Sequence, residues 1–196
     1  YDQMPPAAAP GYAPAQPGMP VGAPYGATAA EPPINMPWYG IDFVNAIKRF
    51  FIKYATFSGR ASRGEFWWVM LFLFLVSFVF NMLTRASSFF NVLSAIWGLA
   101  ILVPQIALAV RRVHDANLPG GWVALPYGIE VLGALVMTFS TISAVTSGLS
   151  GSSGGVGGGM AGILIGSLIM LAGAVTAIVL FAKQSDPQGA RFDARQ

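Results

Sequence analysis

The chain has 196 residues, 55% of them hydrophobic and 10% charged, with a formal net charge of +3 and a mean hydropathy of +0.60. Because about a quarter of the residues in soluble domains are charged, this composition excludes an ordinary soluble globule and favours a protein that lies in a lipid bilayer. The absence of cysteine excludes a disulfide framework, a thiolate nucleophile and a cysteine metal site. The sequence has no basic patch of the kind that binds nucleic acid, so a nucleic acid partner is not expected.

The first segment, residues 1–37, is rich in Pro, Ala and Gly, as in PPAAAPGYAPAQPGMPVGAPYG. Proline donates no backbone hydrogen bond and the segment has little apolar surface to bury. It therefore predicts a disordered cytoplasmic tail with polyproline II character. A docking tail for a partner domain is the functional alternative.

Residues 41–57, IDFVNAIKRFFIKYATF, carry a polar and an apolar stripe at helical spacing. The polar stripe consists of Asp42, Asn45, Arg49, Lys53 and Thr56, and the apolar stripe of Phe43, Ile47, Phe50, Tyr54 and Phe57. The segment is too charged to span a membrane, so the pattern predicts an amphipathic helix in the membrane interface. Its aromatic side chains are expected among acyl chains and its lysines near lipid phosphates.

Four apolar stretches follow within a predicted transmembrane domain, residues 58–182. They are residues 66–84, 89–110, 122–146 and 160–182, and each is long enough as a helix to cross a hydrocarbon core of roughly 30 Å. The Gly/Ser-rich residues 147–159 predict a flexible linker, and residues 183–196 predict a second cytoplasmic tail. The predicted fold is therefore an all-α polytopic membrane protein with four transmembrane helices, a cytoplasmic interfacial helix and a disordered N-terminal tail.

The basic residues fall almost entirely on one side of these four spans. Ten of the eleven Lys and Arg residues precede the first span, lie between the second and third, or follow the fourth, and Arg85 alone lies on the other side. By the positive-inside rule, this distribution predicts that both termini are cytoplasmic.

The stretch FSGRASRGEFWWV, residues 57–69, places charged residues directly before the first span. Ser62 and Glu65 have the S-x-x-E spacing of a capping box, in which each side chain accepts a hydrogen bond from the backbone N–H of the other residue. Arg60 and Arg63 are expected at the depth of the lipid phosphates, with aromatic residues beside them in the interface. Capping and topology alone would account for these residue types.

A second charged motif, RRVHDANLPGGW, covers residues 111–122 and contains the only histidine of the chain. The pairing of FSGRASRGEFWW with RRVHD and a following Gly-Trp resembles the bacterial inner-membrane family of domain of unknown function 805, over residues 45–196. The resemblance implies a small polytopic protein of the bacterial plasma (inner) membrane whose function is unsettled. The signature of the family falls here on Arg60, Arg63, Glu65, Arg111, Arg112, His114 and Asp115. The segment ANLPGG lacks a basic residue that the family usually has there, so no role of that residue is carried over.

These two motifs are predicted to meet at the cytoplasmic interface. Glu65 and Asp115 would pair with some of the four signature arginines, and the remaining positive charge would bind an anionic lipid headgroup or a partner. His114 with the two carboxylates could ligate a divalent ion, but one histidine among arginines argues against a metal. Since no serine lies in a recognisable nucleophile setting, the sequence predicts a non-enzymatic protein without a cofactor.

Two polar residues are predicted inside the membrane. Glu130 would lie about 12 Å below Trp122, with Gln105 within side-chain reach of that depth. Because ionisable groups at such depth usually face a bundle interior or a water-filled cavity, Glu130 is either a hydrogen-bonded structural residue or part of a transport path. A small transporter or channel component using Glu130 is therefore the alternative function.

The small-residue face of Gly158, Gly162 and Gly166 would pack within the chain or mediate self-association.

Overall fold

The structure is a computed structural model that describes residues 31–193. Residues 1–30 and 194–196 lie outside the described part, and with them most of the predicted disordered tail and the end of the predicted C-terminal tail. The described residues contain helices and no strand.

Five α-helices and two short 3-10 helices make up the described chain. In order they are α1 (Phe43–Ile52), α2 (Arg63–Thr84), α3 (Phe89–Asp115), the 3-10 helix Gly120–Val123, α4 (Ala124–Leu149), α5 (Ser153–Phe181) and the 3-10 helix Pro187–Phe192. Helices α2 to α5 are long and apolar enough to cross a membrane, and they expose large apolar side chains such as Phe74, Phe139 and Leu164. The predicted all-α fold with four membrane-spanning helices is confirmed.

Helix α1 is shorter than the predicted residues 41–57, and two residues of its polar stripe, Arg49 and Lys53, point into the protein. Asp42 caps the helix by accepting a hydrogen bond from Asn45 N at 3.0 Å, and the helix ends where Lys53 N donates to Arg49 O at 2.9 Å. The Arg49 and Lys53 side chains are both buried, so Lys53 does not lie at the outer face where we expected it. The reason is a carboxylate on α2, described below, that attracts both cations inward.

Helices α2 and α3 extend beyond the predicted spans at one end of the molecule. α2 begins at Arg63 rather than at residue 66, because Ser62 and Glu65 form the predicted capping box. α3 continues to Asp115 rather than ending at residue 110, because charged side chains of its last turn have partners inside the protein.

The Gly/Ser-rich residues 147–159 are mostly helical, in contrast to the predicted flexible linker. The predicted spans 122–146 and 160–182 correspond to α4 and α5, but α4 runs on to Leu149 and Ser152 caps an earlier start of α5. A Cβ atom on Gly159 would lie only 2.7 Å from Ala144 N, so glycine lets the two helices approach closely. Helix packing therefore replaces the solvated backbone expected of a linker.

The helices form two antiparallel pairs that meet at one end of the molecule. α2 packs with α3 and α4 packs with α5, and the rings of Phe66 and Phe181 join the pairs with their centroids 4.6 Å apart. Helix α1 and the second 3-10 helix cover this end. We call it the basic end, because nine of the ten described Lys and Arg residues lie there and Arg85 lies at the opposite end. The nine are Lys48, Arg49, Lys53, Arg60, Arg63, Arg111, Arg112, Lys183 and Arg191.

Candidate functional site

The centre of the basic end is a buried ion pair between α1 and α2. Arg49 Nη1 lies 2.9 Å from Glu65 Oε1, and the two residues are 2% and 3% exposed. Glu65 Oε2 accepts a hydrogen bond from Ser62 N at 2.8 Å, and Ser62 Oγ accepts one from Glu65 N at 3.1 Å. Glu65 therefore both completes the capping box of α2 and pairs with a cation from α1.

Arg49 also binds the chain that precedes α1. Its Nη2 donates to Pro33 O at 2.9 Å and to Met36 O at 3.3 Å. Ser62 Oγ donates to Trp38 O at 2.7 Å and fixes the next part of the chain. Residues 32–37 are thus part of the folded protein rather than of the predicted disordered tail, because their carbonyl groups satisfy buried donors.

Two further cations, Lys53 of α1 and Arg111 of α3, lie around the same carboxylate. They are 3% and 1% exposed, and the Glu65 charge acts on both. Arg111 Nε donates to Ala107 O at 3.2 Å, whereas Arg111 Nη2 and Lys53 Nζ have no hydrogen-bond partner within residues 31–193. Burial lowers the pKa of the Lys53 ammonium to about 8, so the group remains mostly charged at pH 7. We call this group of Arg49, Lys53, Arg111 and Glu65 the Glu65 site.

A second buried ion pair lies within the last turn of α3, and its arginine also binds the end of α5. Arg112 Nη1 lies 2.9 Å from Asp115 Oδ2, and both side chains are fully buried. Arg112 Nε donates to Phe181 O at 2.9 Å, and Nη2 donates to Lys183 O. All three nitrogens of this guanidinium are therefore engaged within the protein.

Asp115 is the acceptor at the centre of this second network. Its Oδ1 accepts from Tyr39 OH at 2.9 Å and its Oδ2 from Ser185 Oγ. Burial, together with the charge of Asp115, raises the pKa of the Tyr39 hydroxyl to about 12, so Tyr39 remains a donor at physiological pH. The network therefore connects α3 with the segment that precedes α1, through Tyr39, and with the segment that follows α5, through Ser185.

The segment after α5 folds back over the basic end. Asp193 binds Arg60 through two contacts, with Nε to Oδ1 at 2.9 Å and Nη2 to Oδ2 at 2.8 Å. The Phe192 ring stacks on His114 with the centroids 4.2 Å apart and the planes at 4°. His114 Nδ1 donates to Gly59 O at 3.1 Å. Arg60 therefore has its partner within the segment after α5, and His114 lies between this segment and Gly59.

The structure brings the two sequence motifs together, since Ala61 N donates to Arg111 O at 3.0 Å. Their ion pairs differ in part from the expected ones. Within residues 31–193 the three pairs are Arg112 with Asp115, Arg49 with Glu65, and Arg60 with Asp193. Only the first joins an arginine and a carboxylate of the predicted set, while Arg63 is exposed beside the N-terminus of α2.

Several residues of this end were not among the predicted site residues. They are Tyr39, Arg49, Lys53, Ser185 and Asp193. The polar stripe of α1 is a sequence signal for Arg49 and Lys53, but its inward orientation follows only from the position of Glu65. The other three lie in irregular segments, where no periodic pattern marks them.

The predicted intramembrane residues Glu130 and Gln105 border one cleft between the two helix pairs. The cleft has a volume of about 500 Å³ and mainly apolar walls, with Gln105, Tyr127 and Glu130 among its polar groups. Glu130 packs against α5, since a Cβ atom on Gly173 would lie 2.7 Å from Glu130 Cγ.

The predicted glycine face of α5 contacts α4 of the same chain. A Cβ atom would lie 2.8 Å from Ser140 Cβ at Gly162 and 2.9 Å from Gly133 O at Gly166, while Gly158 faces open space. Self-association through this face stays a prediction, although two of its three glycines are already covered by α4.

Comparison with known proteins relates this arrangement to a family. The model of the family "Protein of unknown function (DUF805)" matches residues 54–194. The chain belongs to the DUF805 family. Inner membrane protein YhaI of Escherichia coli (strain K12) is 35% identical over 97 residues, which is 49% of this chain and 81% of YhaI. Inner membrane protein YhaH of the same organism is 30% identical over 101 residues, which is 49% of this chain and 83% of YhaH. No solved structure matches the chain.

DUF805 membership confirms the resemblance inferred from the two sequence motifs. With its four apolar helices and its inner-membrane relatives, this DUF805 protein is an integral inner-membrane protein. The DUF805 match starts at Tyr54, directly after Lys53. The α1 half of the Glu65 site therefore precedes the matched region, and Glu65 and Arg111 lie within it.

Proposed function

We propose that this DUF805 protein is a non-enzymatic membrane protein that binds anionic lipid at its basic end, which faces the cytoplasm. The observation that carries the proposal is that the apolar outer face of α1 lies at the same end of the molecule as most of the basic residues. α1 exposes Val44, Phe51 and Ile52 on its outer side, at the end where nine of the ten described Lys and Arg residues collect. A helix with an apolar outer face at that position lies at the depth of the lipid headgroups, where basic residues attract anionic lipids.

The contacts divide the basic residues by role. Arg60 and Arg112 are engaged by Asp193 and Asp115, and their role in the proposal is to hold the fold. Arg63 and Lys183 are exposed, and they supply surface attraction for headgroups. His114 and Asp115 have partners within the protein, so they support the site rather than contact lipid.

The test compares lipid selectivity in nanodiscs of phosphatidylcholine alone or mixed with phosphatidylglycerol. Native mass spectrometry of the released protein counts retained lipids of each kind. The wild type should retain phosphatidylglycerol preferentially. Arg63→Gln with Lys183→Gln should lower this preference, since each basic residue near a membrane surface contributes about 1 kcal/mol of attraction. Arg85→Gln, at the opposite end, is the matched control and should leave the preference unchanged. Equal retention of both lipids by the wild type would refute the proposal.

A second candidate function is transport, which the cleft beside Glu130 favours. A carboxyl, an amide and a phenol share an otherwise apolar cleft in the membrane-spanning part, and polar groups at such depth often mark a path for ions or solutes. Proteoliposomes containing wild type or Glu130→Gln would be compared for proton and solute flux. Flux that is absent in the wild type, or unchanged by Glu130→Gln, would argue against this function.

A further inference from the structure

The Glu65 site contains more positive charge than its own residues can neutralise. Arg49 contacts the Glu65 carboxylate directly, and Lys53 and Arg111 lie close enough for their charges to act on it; all four residues are at least nine-tenths buried. Arg49 pairs directly with Glu65 at 2.9 Å. With three positive charges and one negative charge, the site carries an excess of two positive charges.

Three buried donors of the site, Arg49 Nε, Lys53 Nζ and Arg111 Nη2, have no hydrogen-bond partner among the described residues. Arg49 contacts the Glu65 carboxylate through another nitrogen, so the surplus charge lies on Lys53 and Arg111. Buried charged donors are almost always paired, because transfer of an unpaired charge out of water is costly. By contrast, the guanidinium of Arg112, buried at the same end, has a partner at each of its nitrogens.

We propose that the junction of α1, α2 and α3 binds one phosphate group, with Lys53 Nζ and Arg111 Nη2 as its donors and Arg49 and Glu65 as their fixed electrostatic frame. This inference rests on the proposed function in that the phosphate would belong to a lipid headgroup. A free phosphate or a soluble phosphate ester has the same chemistry and is the other possible source.

Phosphate fits this site better than a carboxylate does. A free phosphate or a phosphate monoester carries about two negative charges near pH 7, which matches the surplus of two positive charges, whereas the phosphodiester of phosphatidylglycerol carries one and neutralises half of it. In each case several oxygens can accept from an ammonium and a guanidinium at once. Lysine binds phosphate as a compact point charge, and arginine binds it through planar N–H groups. Burial lowers the pKa of Lys53 only to about 8, which leaves its ammonium charged for binding at pH 7.

The site adjoins an exposed stretch of chain at the end of α1. Lys53 is the C-cap residue of α1, and the residues that follow it, Tyr54 to Phe57, are exposed. The four-carbon stem of lysine lets its ammonium swing from a buried position toward a headgroup at the interface. Lys53 directly precedes these exposed residues, and a headgroup would approach the site from their side.

The experiment uses the full chain in two arms. In the lipid arm, the protein is released from nanodiscs with phosphatidylglycerol, and native mass spectrometry measures the retained lipid. In the soluble arm, protein in phosphatidylcholine nanodiscs is titrated with inorganic phosphate against chloride of equal ionic strength, and the shift in Tm measures binding. Lys53→Met should weaken binding roughly 10- to 100-fold, the effect of one charged hydrogen bond. Lys48→Met, an exposed position on the same helix, is the matched control: it should respond to inorganic phosphate like the wild type and should lower lipid retention only by the effect of one surface charge.

A second variant tests the charge argument in the opposite direction. Glu65→Gln keeps a residue that can complete the capping box but removes the only negative charge of the site. It should bind phosphate more tightly than the wild type. A folded Glu65→Gln protein with weaker or unchanged phosphate binding would overturn the inference even if Lys53→Met failed to fold.

The outcomes separate this inference from the proposed function. Loss of lipid retention in Lys53→Met alone would support both, with a lipid as the source of the phosphate. A response to inorganic phosphate that Lys53→Met abolishes, without preference for phosphatidylglycerol, would support the site and refute lipid binding. Retention of phosphatidylglycerol that is equal in wild type and Lys53→Met would overturn the site and leave the lipid function standing. No binding in either arm would overturn both.

Discussion

At the scale of single residues, the basic end is organised by buried carboxylates that each hold several groups. Glu65 pairs with Arg49 and caps α2, and Asp115 pairs with Arg112 while accepting from Tyr39 and Ser185. The two carboxylates differ in one respect. The donors around Asp115 are satisfied, whereas the Glu65 site includes three donors without a partner among the described residues.

Removal of the Asp115 carboxylate should strongly destabilise the fold. Asp115→Ala leaves the buried Arg112 guanidinium without its counter-charge, and breaking a buried pair in this way typically costs about 3–5 kcal/mol. Thermal or denaturant unfolding of the detergent-solubilised protein would measure the loss. Asp42→Ala is a suitable control, because Asp42 is an exposed helix cap whose loss costs about 1 kcal/mol. Equal destabilisation by the two substitutions would contradict the central role of Asp115.

The stability of the protein should also depend on pH through Lys53. Burial lowers the pKa of Lys53 from 10.5 to about 8 in the folded protein, so the unfolded chain binds more protons between these values. The free energy of unfolding should therefore rise as the pH increases from about 8 towards 10.5. Tyr39, whose pKa is raised from 10.0 to about 12, acts in the opposite direction above pH 10, so the rise is best measured below that pH.

The control for this pH dependence is Lys53→Met, which removes the titrating group. Melting temperatures of wild type and variant between pH 7 and 10, in phosphate-free buffer, should converge as the pH rises if the charged form of Lys53 is what costs stability. A constant difference between the two proteins would show that Lys53 does not titrate in this range.

At the scale of elements, sequence patterns predicted helix ends well where the cap is local and poorly where the contact is distant. The Ser62–Glu65 spacing predicted the start of the α2 cap, because both partners lie within one turn. The stripe of α1 predicted a helix but not the direction of Lys53, since that depends on Glu65 of another helix. Residues 147–159 were predicted to be a flexible linker because glycine favours flexibility. In the structure, glycines of this stretch instead allow α5 to pack on α4.

The contact between α4 and α5 should tolerate no side chain at Gly166, where the two backbones approach closely. A Cβ atom at Gly166 would lie 2.9 Å from Gly133 O and from Met137 N, so Gly166→Ala forces backbone atoms apart at a cost of about 1–3 kcal/mol. Gly158→Ala, on the same helix with open space around it, is the matched control and should be neutral or slightly stabilising. Unfolding in detergent would measure both, and similar values would argue against close packing at Gly166.

At the scale of the whole molecule, composition and the alternation of apolar stretches were enough to predict four spans and one charged end. These properties are summed over many residues, so errors at single positions do not change them. The candidate site was only partly predictable. The motifs around Glu65 and Arg111 were recognised, but Arg49 and Lys53 join them through contacts between segments that no local pattern specifies.

The segregation of charge also makes a prediction about orientation. With nine of the ten described Lys and Arg residues at the basic end, the positive-inside rule favours a basic end in the cytoplasm and Arg85 in the periplasm. Since the sequence contains no cysteine, single cysteines can report each side without background. Ser87→Cys in the short loop after α2 should react in intact cells with a maleimide that cannot cross the inner membrane, whereas Lys48→Cys on α1 should react only after that membrane is permeabilised. The reverse pattern would place the basic end outside, remove it from the anionic cytoplasmic leaflet and thereby refute the lipid-binding function as proposed.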